Sequence, residues 1–239
     1  IGYIYTNYIP HKVKTNQSID FNFKIYNKII EVFYPEIELA KNTFIRGRVE
    51  SNEKQFKLTF KSPKIKLLDY FANNIELQVD NSNPLFNTYI ELDSLTTKYY
   101  NVSKFNLINV TLKDTLFMRS EFKGGKRNTD IFNLSFYHTI DEENKSVIGF
   151  KKSDVTIKDN VWFINENKDN FNKISFNKKL TDFNIDKFRI NHNNEEIKLS
   201  GFLKDSTQKD IKLQFKEVDL AKIIPEIDSQ LILFKNRID

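Results

Sequence analysis

Cysteine is absent from this chain of 239 residues, which excludes a disulfide framework. No apolar run approaches the roughly 20 residues that a membrane-spanning helix needs. No basic segment followed by an apolar stretch opens the chain in the manner of a secretory leader. The first residue is Ile1 rather than Met, so the expectation is a processed protein or an excised piece, and the missing leader does not specify a compartment. Charge of one sign is not concentrated either. The formal charge is +5 and the pI near 9.0, yet Lys far outnumbers Arg and is spread through strands and turns. Nucleic-acid binders usually gather such residues on one face. The spread reads as a solubilising surface, and no nucleic-acid partner is expected.

Recognisable chemistry is also missing. His11, His138 and His192 lie far apart, without the close His/Glu spacing of a zinc site. Gly124-Gly125-Lys126 lacks both Walker spacing and a following Ser or Thr, so it is no phosphate loop. No Gly-x-Ser-x-Gly elbow is present for a serine hydrolase. The carboxylates fall on the polar phase of strands or in turns, and no catalytic pair stands out. The reading is a non-enzyme with no cofactor and no metal. Trp162, the single Trp, can fill a core or stack on a sugar or base.

What the sequence has is Phe, 22 residues of it, in short alternating segments. In Ser18–Tyr26, Ile19, Phe21, Phe23 and Ile25 point one way while Asp20, Asn22 and Lys24 point the other. The same period of two recurs through Phe56, Leu58 and Phe60, through Phe132, Leu134 and Phe136, through Ile197, Leu199 and Leu203, and through Ile211, Leu213 and Phe215. Such alternation marks strands with one wet and one apolar face. Strands are expected near 3–8, 18–25, 36–39, 44–50, 55–60, 64–68, 75–80, 86–92, 102–112, 115–122, 130–138, 146–150, 154–158, 161–165, 173–177, 183–190, 195–203 and 209–217. Short connections, with a hairpin at Lys123–Lys126, argue for an antiparallel meander. Gly149 and Gly201 sit inside strands, where glycine usually marks a bulge or bend.

Two segments read as short helices: Asn27–Tyr34, ended by Pro35, and Asp219–Gln230, with Asp219 as its cap. The echo of Tyr34-Pro35-Glu36-Ile37 in Ile224-Pro225-Glu226-Ile227 suggests an internal repeat. The chain then reads as part of one continuous β unit over 1–239, with repeat limits near 1–26, 27–218 and 219–239. Three all-β architectures satisfy the pattern. They are a two-sheet sandwich, a closed barrel, and one long sheet whose concave apolar face is covered by ligand. A transmembrane barrel fits poorly, because the strands are uneven and carry charge mid-strand. From pattern alone the sandwich ranks first and the trough second.

A resemblance reverses that order. Ser120–Gly125, Asp130–Glu143, Asn144–Ser153 and Trp162-Phe163-Ile164-Asn165 resemble the TamB proteins of Bacteroidota, within the AsmA-like, bridge-like lipid-transfer family. Tyr137–Ile140 and Ser146–Ser153 are the most specific parts. Ile197–Gly201 followed by Leu213–Leu220 is similar to the same family, as is Tyr34-Pro35-Glu36-Ile37 with Asn42-Thr43 and Arg46-Gly47. The resemblance covers about residues 27–230. It implies an all-β fold, a long curved antiparallel sheet forming a taco-like hydrophobic groove, with one or two short helices. It further implies a periplasmic protein of the cell envelope, held to the inner membrane by an N-terminal anchor not evident here, with an outer-membrane barrel of the BamA/TamA type as partner.

On that expectation the chain is an internal fragment of a conduit that carries phospholipid, as transported ligand, between inner and outer membranes, and that aids outer-membrane protein assembly. The candidate groove lining is Phe21, Phe23, Phe56, Leu58, Phe60, Phe132, Leu134, Phe136, Leu199, Leu213 and Phe215. Each of these also fits ordinary core packing. The alternatives are a non-enzymatic scaffold or chaperone for outer-membrane protein biogenesis, working through exposed strand edges, and an extracellular carbohydrate-binding β-sandwich resting on Trp162.

Overall fold

A computed structural model of the protein describes residues 14–168, 171–205 and 207–223. The expected strand at 3–8, His11 and the Ile224–Ile227 half of the repeat echo lie outside these residues. The regular structure of the described chain is nearly all β, and its strands all join one antiparallel sheet of sixteen strands. The strands are β1 (Ser18–Lys24), β2 (Ile37–Leu39), β3 (Phe44–Glu50), β4 (Gln55–Leu67), β5 (Tyr70–Asp80), β6 (Thr88–Thr96), β7 (Val102–Leu112) and β8 (Thr115–Gly124). They continue with β9 (Asp130–Ile140), β10 (Ser146–Phe150), β11 (Ser153–Ile157), β12 (Asn160–Ile164), β13 (Lys173–Phe176), β14 (Asp182–His192), β15 (Glu195–Lys204) and β16 (Gln208–Lys216). There is no second sheet among the described residues, so the sandwich ranked first by pattern alone is not the fold. Alternation shows that one face is apolar; it does not show whether another layer covers it.

The topology reduces to a plain meander once three interrupted columns are recognised. β2 and β3 both run antiparallel to β4, one beside each half of it. β10 and β11 both run antiparallel to β9. β12 and β13 then pair with β11 and β10 respectively, and both flank β14. Each strand or column touches its two neighbours in chain order. Within the described residues β1 and β16 are the two terminal open edges, and the short β2 is likewise paired on one side only, with β4.

One helix, α1 (Asn27–Phe33), follows β1. The Tyr34 amide closes its last turn on the Ile30 carbonyl at 2.8 Å, and Pro35 cannot continue it. Of the helix expected at 219–230, the described residues hold only a 3-10 turn, Leu220–Lys222.

Turns are made without much glycine, of which the chain has 6 residues. Left-handed backbone falls instead on Asn or Asp at eleven of the positions with φ > 0, including Asn42, Asn74, Asn144 and Asn193. These side chains tolerate that region best after glycine. The two-residue connections Lys113-Asp114 and Lys158-Asp159 have both residues left-handed, the geometry that matches the twist of a hairpin. Gly201 marks a true irregularity: its φ is +128°, beside the register shift between Ile185 and Phe188 on β14. Gly149 does not mark a bulge. It pairs directly with Tyr137, whose ring lies where a β-carbon would stand.

The chain exposes 17175 Å², against about 11,000 Å² for a compact protein of its mass. Among the described residues the buried hydrophobic side chains are Leu116, Trp162 and Ile164 alone. Most buried residues are polar, and four of them, Thr43, Ser62, Ser153 and Asn172, sit where the ladder is interrupted. Thr43 and Ser62 share a 2.8 Å hydrogen bond between the β2/β3 break and β4, and Thr43 also donates to the Ala40 carbonyl at 2.7 Å. At the β10/β11 break the Ser153 hydroxyl accepts from the Ser135 amide at 2.8 Å. It lies 3.1 Å from the Ser135 carbonyl and 3.0 Å from that of Lys151, its two possible acceptors. At the β12/β13 break the Asn172 side chain accepts from the Arg189 amide at 2.5 Å.

Ser153→Ala therefore leaves a buried amide without its acceptor. The expected cost is about 1–3 kcal/mol, read as a lower urea midpoint. The exposed change Thr207→Ala should leave the midpoint in place; equal midpoints for both variants and the parent chain would show that Ser153 does not seal the break.

Candidate functional site: one apolar face across the sheet

Directly paired residues in an antiparallel ladder share a face, so the register assigns every strand residue to one side. The rows Ile19–Val49–Phe56, Phe21–Gly47–Leu58–Val79 and Phe23–Ile45–Phe60–Leu77 run across β1, β3, β4 and β5. Leu77 continues through Ile90 and Leu107 to Ser120 and Leu134 on β9. From β9, Phe136–Phe150 and His138–Ile148–Ile174–Ile185 carry the same face into β14. Ile190–Ile197–Phe215 and Phe188–Leu199–Leu213 carry it to β16. All eleven candidate lining residues are thus on one side of the sheet, across five strands.

Two transverse creases cross the strands, and the apolar side survives both. The first passes through Pro63 on β4, Asn74 on β5, Asp93 on β6 and Lys104 on β7, positions that lie opposite one another by register. The Asn74 side chain donates to Asp93 at 2.6 Å along this line. In each strand the apolar spacing changes from two to three there: Ser62 to Ile65, Ala72 to Ile75, Leu92 to Leu95, Val102 to Phe105. An inserted residue flips the alternation, and the step of three restores it. β8 has no extra residue, so the mismatch emerges as the bulge of Ser103–Asn106 against Glu121–Lys123. The second crease runs through the β10/β11 and β12/β13 breaks to the bulge at Asp186-Lys187 in β14, where Ile185 steps to Phe188.

Between the creases, β8 and β9 alternate without interruption, and the aromatic rings of the face gather around them. Phe122 stacks on Phe132 with centroids 4.3 Å apart and planes at 10°. Phe105 lies 5.9 Å from Phe122 and Tyr100 lies 6.4 Å from Phe132. On the other flank Phe136, Phe150 and Phe188 follow at 5.8 and 5.3 Å. Phe105, Phe122, Phe150 and Phe188 belong to the face although period-two reading does not select them. Phe105 and Phe188 are hidden by the phase change, and Phe122 and Phe150 end short runs. The face is incompletely covered. Phe23 is 60 % exposed, Phe215 51 % and Phe56 36 %, while the β9 residues Phe132, Leu134 and Phe136 are half-buried.

The opposite face carries most of the charge, matched across strands. Lys57 meets Asp80 at 3.2 Å and Lys61 meets Glu76 at 2.6 Å, each on its direct partner. Burial alone would raise the Glu76 carboxyl, but donation by Lys61 and Gln78 holds it below its ordinary value. Tyr89 donates to Glu91 at 2.7 Å, and that bond with partial burial pushes its hydroxyl up to about 12. The partly exposed ion pairs contribute little stability each. Their effect is to make one side of the sheet as polar as the other is apolar.

Among the described residues two buried titratable groups are on the apolar side. His138 lies buried between Leu116 and Ile148, its register partners, and burial holds its pKa below the ordinary 6.5. Glu195, also buried, accepts from the Asp219 amide and the Lys222 ammonium at 3.0 Å each, fastening the 3-10 turn to the start of β15. Trp162 is only 2 % exposed and packs on His192 with centroids 5.1 Å apart. It fills space rather than offering a stacking platform, which removes the basis of the carbohydrate reading. Among the described residues no group of three His, Cys, Asp or Glu converges as a metal site, and no helix is long and apolar enough to cross a membrane.

Because the fold disfavours charged His138, its contribution is full above pH 6.5 and is lost as pH falls below that value through the lower folded one. The urea midpoint should decline in this window, and His138→Leu should flatten the decline. Parallel pH profiles for the two proteins would place the titration elsewhere. Comparison of the chain with family models, with curated proteins and with solved structures finds no match.

Proposed function

We propose that the apolar face binds the acyl chains of phospholipid, and that the chain is a segment of an envelope protein along which lipid passes between membranes. The observation that carries this reading is a single apolar side extending over every column of a one-layer sheet, with no second layer over it among the described residues. Exposed contiguous apolar surface of this extent calls for an occupant. An acyl chain suits it, because each buried methylene contributes about 0.8 kcal/mol and needs no directional partner. The resemblance to AsmA-like lipid-transfer proteins points the same way. In this reading the sheet curls along its creases into a groove, headgroups stay at the wet margin, and the half-buried rings on β8 and β9 form its middle.

The test is mass spectrometry of lipid retained by the chain after detergent-free purification, with Phe132→Asp and Phe136→Asp beside the parent. Retained phospholipid should approach one or more equivalents in the parent and fall several-fold in either variant, with the strand signature of each variant unchanged by circular dichroism. Lipid retained equally by all three, or by none, would overturn the assignment of this face.

A further inference from the structure

β16 presents a second surface, its outer edge, whose chemistry is distinct from that of the apolar face. All nine residues are exposed, and no strand pairs with that edge among the described residues. A proline, a bulge or a left-handed residue in an edge strand blocks its pairing with another chain. Gln208–Lys216 contains no proline and no left-handed residue, and its ladder with β15 runs without a register shift. Ile211, Leu213 and Phe215 share the apolar side with Gly201, Leu199 and Ile197, and are 47, 54 and 51 % exposed, while Lys209, opposite Leu203, is the one charge of the strand on that side. Asp210, Lys212, Gln214 and Lys216 occupy the polar side.

This strand is self-complementary when read against itself in the opposite direction about Leu213. We propose that the outer edge of β16 is a dimerisation surface, and that its partner is β16 of a second copy of this chain, paired antiparallel with Leu213 facing Leu213. In that register Ile211 faces Phe215 of the other copy, and Phe215 faces Ile211. On the polar side Asp210 faces Lys216, Lys212 faces Gln214, and the same pairs recur by symmetry. Every facing pair is apolar with apolar, opposite in charge, or polar with neutral. Asp210 is 3.6 Å from Lys212 of its own strand in an exposed contact, which leaves it within reach of the incoming cation. Lys216 has Glu196 as its β15 partner, but Glu196 is engaged by Lys198 at 2.7 Å.

Neighbouring registers are worse. Centring on Lys212 opposes that cation to itself and sets Lys209 against Phe215. Centring on Ile211 sets Lys209 against Leu213. The other terminal open edge, β1, lacks the charge match: centred on Phe21 it faces Asp20 with Asn22 and Lys24 with Ser18. The symmetry also suits the sheet. A twofold axis normal to the sheet reverses the strand direction and keeps both apolar faces on the same side, making the contact isologous and the apolar surface continuous across it. This pairing stands independently of what the apolar face binds.

The test is sedimentation equilibrium of the full 239-residue chain, with Lys216→Asp, Asp210→Lys and the double variant. Monomer–dimer association is expected for the parent. Each single variant opposes like charges at two symmetry-related positions and should weaken the dimer by at least about tenfold. The double variant restores opposite charges and should recover most of the affinity. All substitutions are on an exposed edge, and unchanged urea midpoints would show that the fold is intact. A parent chain that stays monomeric at every concentration, a dimer indifferent to the single changes, or a double variant no better than the singles would overturn the proposal.

Discussion

The described fold depends on keeping one side of a single sheet apolar with no second layer among the described residues to enforce it. In a sandwich, a residue on the wrong side meets a packed core and is penalised at once. Here the penalty is dispersed, because few apolar side chains are fully buried and each rests on cross-strand neighbours. A facing pair contributes roughly 0.2–1 kcal/mol, so stability is the sum of many modest contacts along a meander in which each column touches only the next. That makes the sheet close to one-dimensional, like a solenoid of strands. Among the described residues its first and last strands, β1 and β16, are each paired on one side only.

The creases show how such a sheet departs from regularity without losing its sidedness. Four consecutive strands accept an extra residue at the same transverse line, and their apolar spacing lengthens by one at that line. The shared insertion preserves the register among them and concentrates the mismatch at one boundary, β7 against β8. Where a column breaks entirely, hydroxyl and amide side chains take the place of missing ladder bonds. Thr43, Ser62, Ser153 and Asn172 are therefore among the most buried residues, an inversion of the usual core. Their burial follows from the cost of unpaired backbone groups, and their positions coincide with the breaks in the strand columns.

The strands were legible in the sequence because period two survives even where a face is half exposed. Ser18–Lys24, Phe44–Glu50 and Val102–Leu112 stand close to where alternation places them. Residues 55–60 and 64–68 read as two strands but form one, because the phase change at Pro63 looks like an end when the neighbouring strands are out of view. The same change concealed Phe105 and Phe188 from the candidate lining. The turns at Lys113-Asp114 and Lys158-Asp159 carry no glycine to announce them; their left-handed backbone is imposed by the strands they join. The number of layers was not legible at all, since alternation describes a strand's two sides and is silent about what lies beyond them.

Evenness of the apolar side bears on the lipid reading. A ligand held in a deep pocket meets a large free-energy well and leaves slowly, whereas a chain lying on half-buried side chains exchanges one set of similar contacts for the next as it advances. The polar side adds nothing that would pin it, because the facing Lys–Asp and Lys–Glu pairs across β4 and β5 satisfy one another. The places where movement would slow are those where rings crowd together, Phe105–Phe122–Phe132 before Leu134 and Phe136–Phe150–Phe188 after it. The first cluster rests on the uninterrupted strands β8 and β9 through Phe122 and Phe132, and the second on β9 through Phe136, reaching the second crease at Phe150 and Phe188. The uninterrupted part of the sheet thereby carries much of the aromatic surface of the face. In the lipid reading proposed above, that crowded region would set the rate of passage.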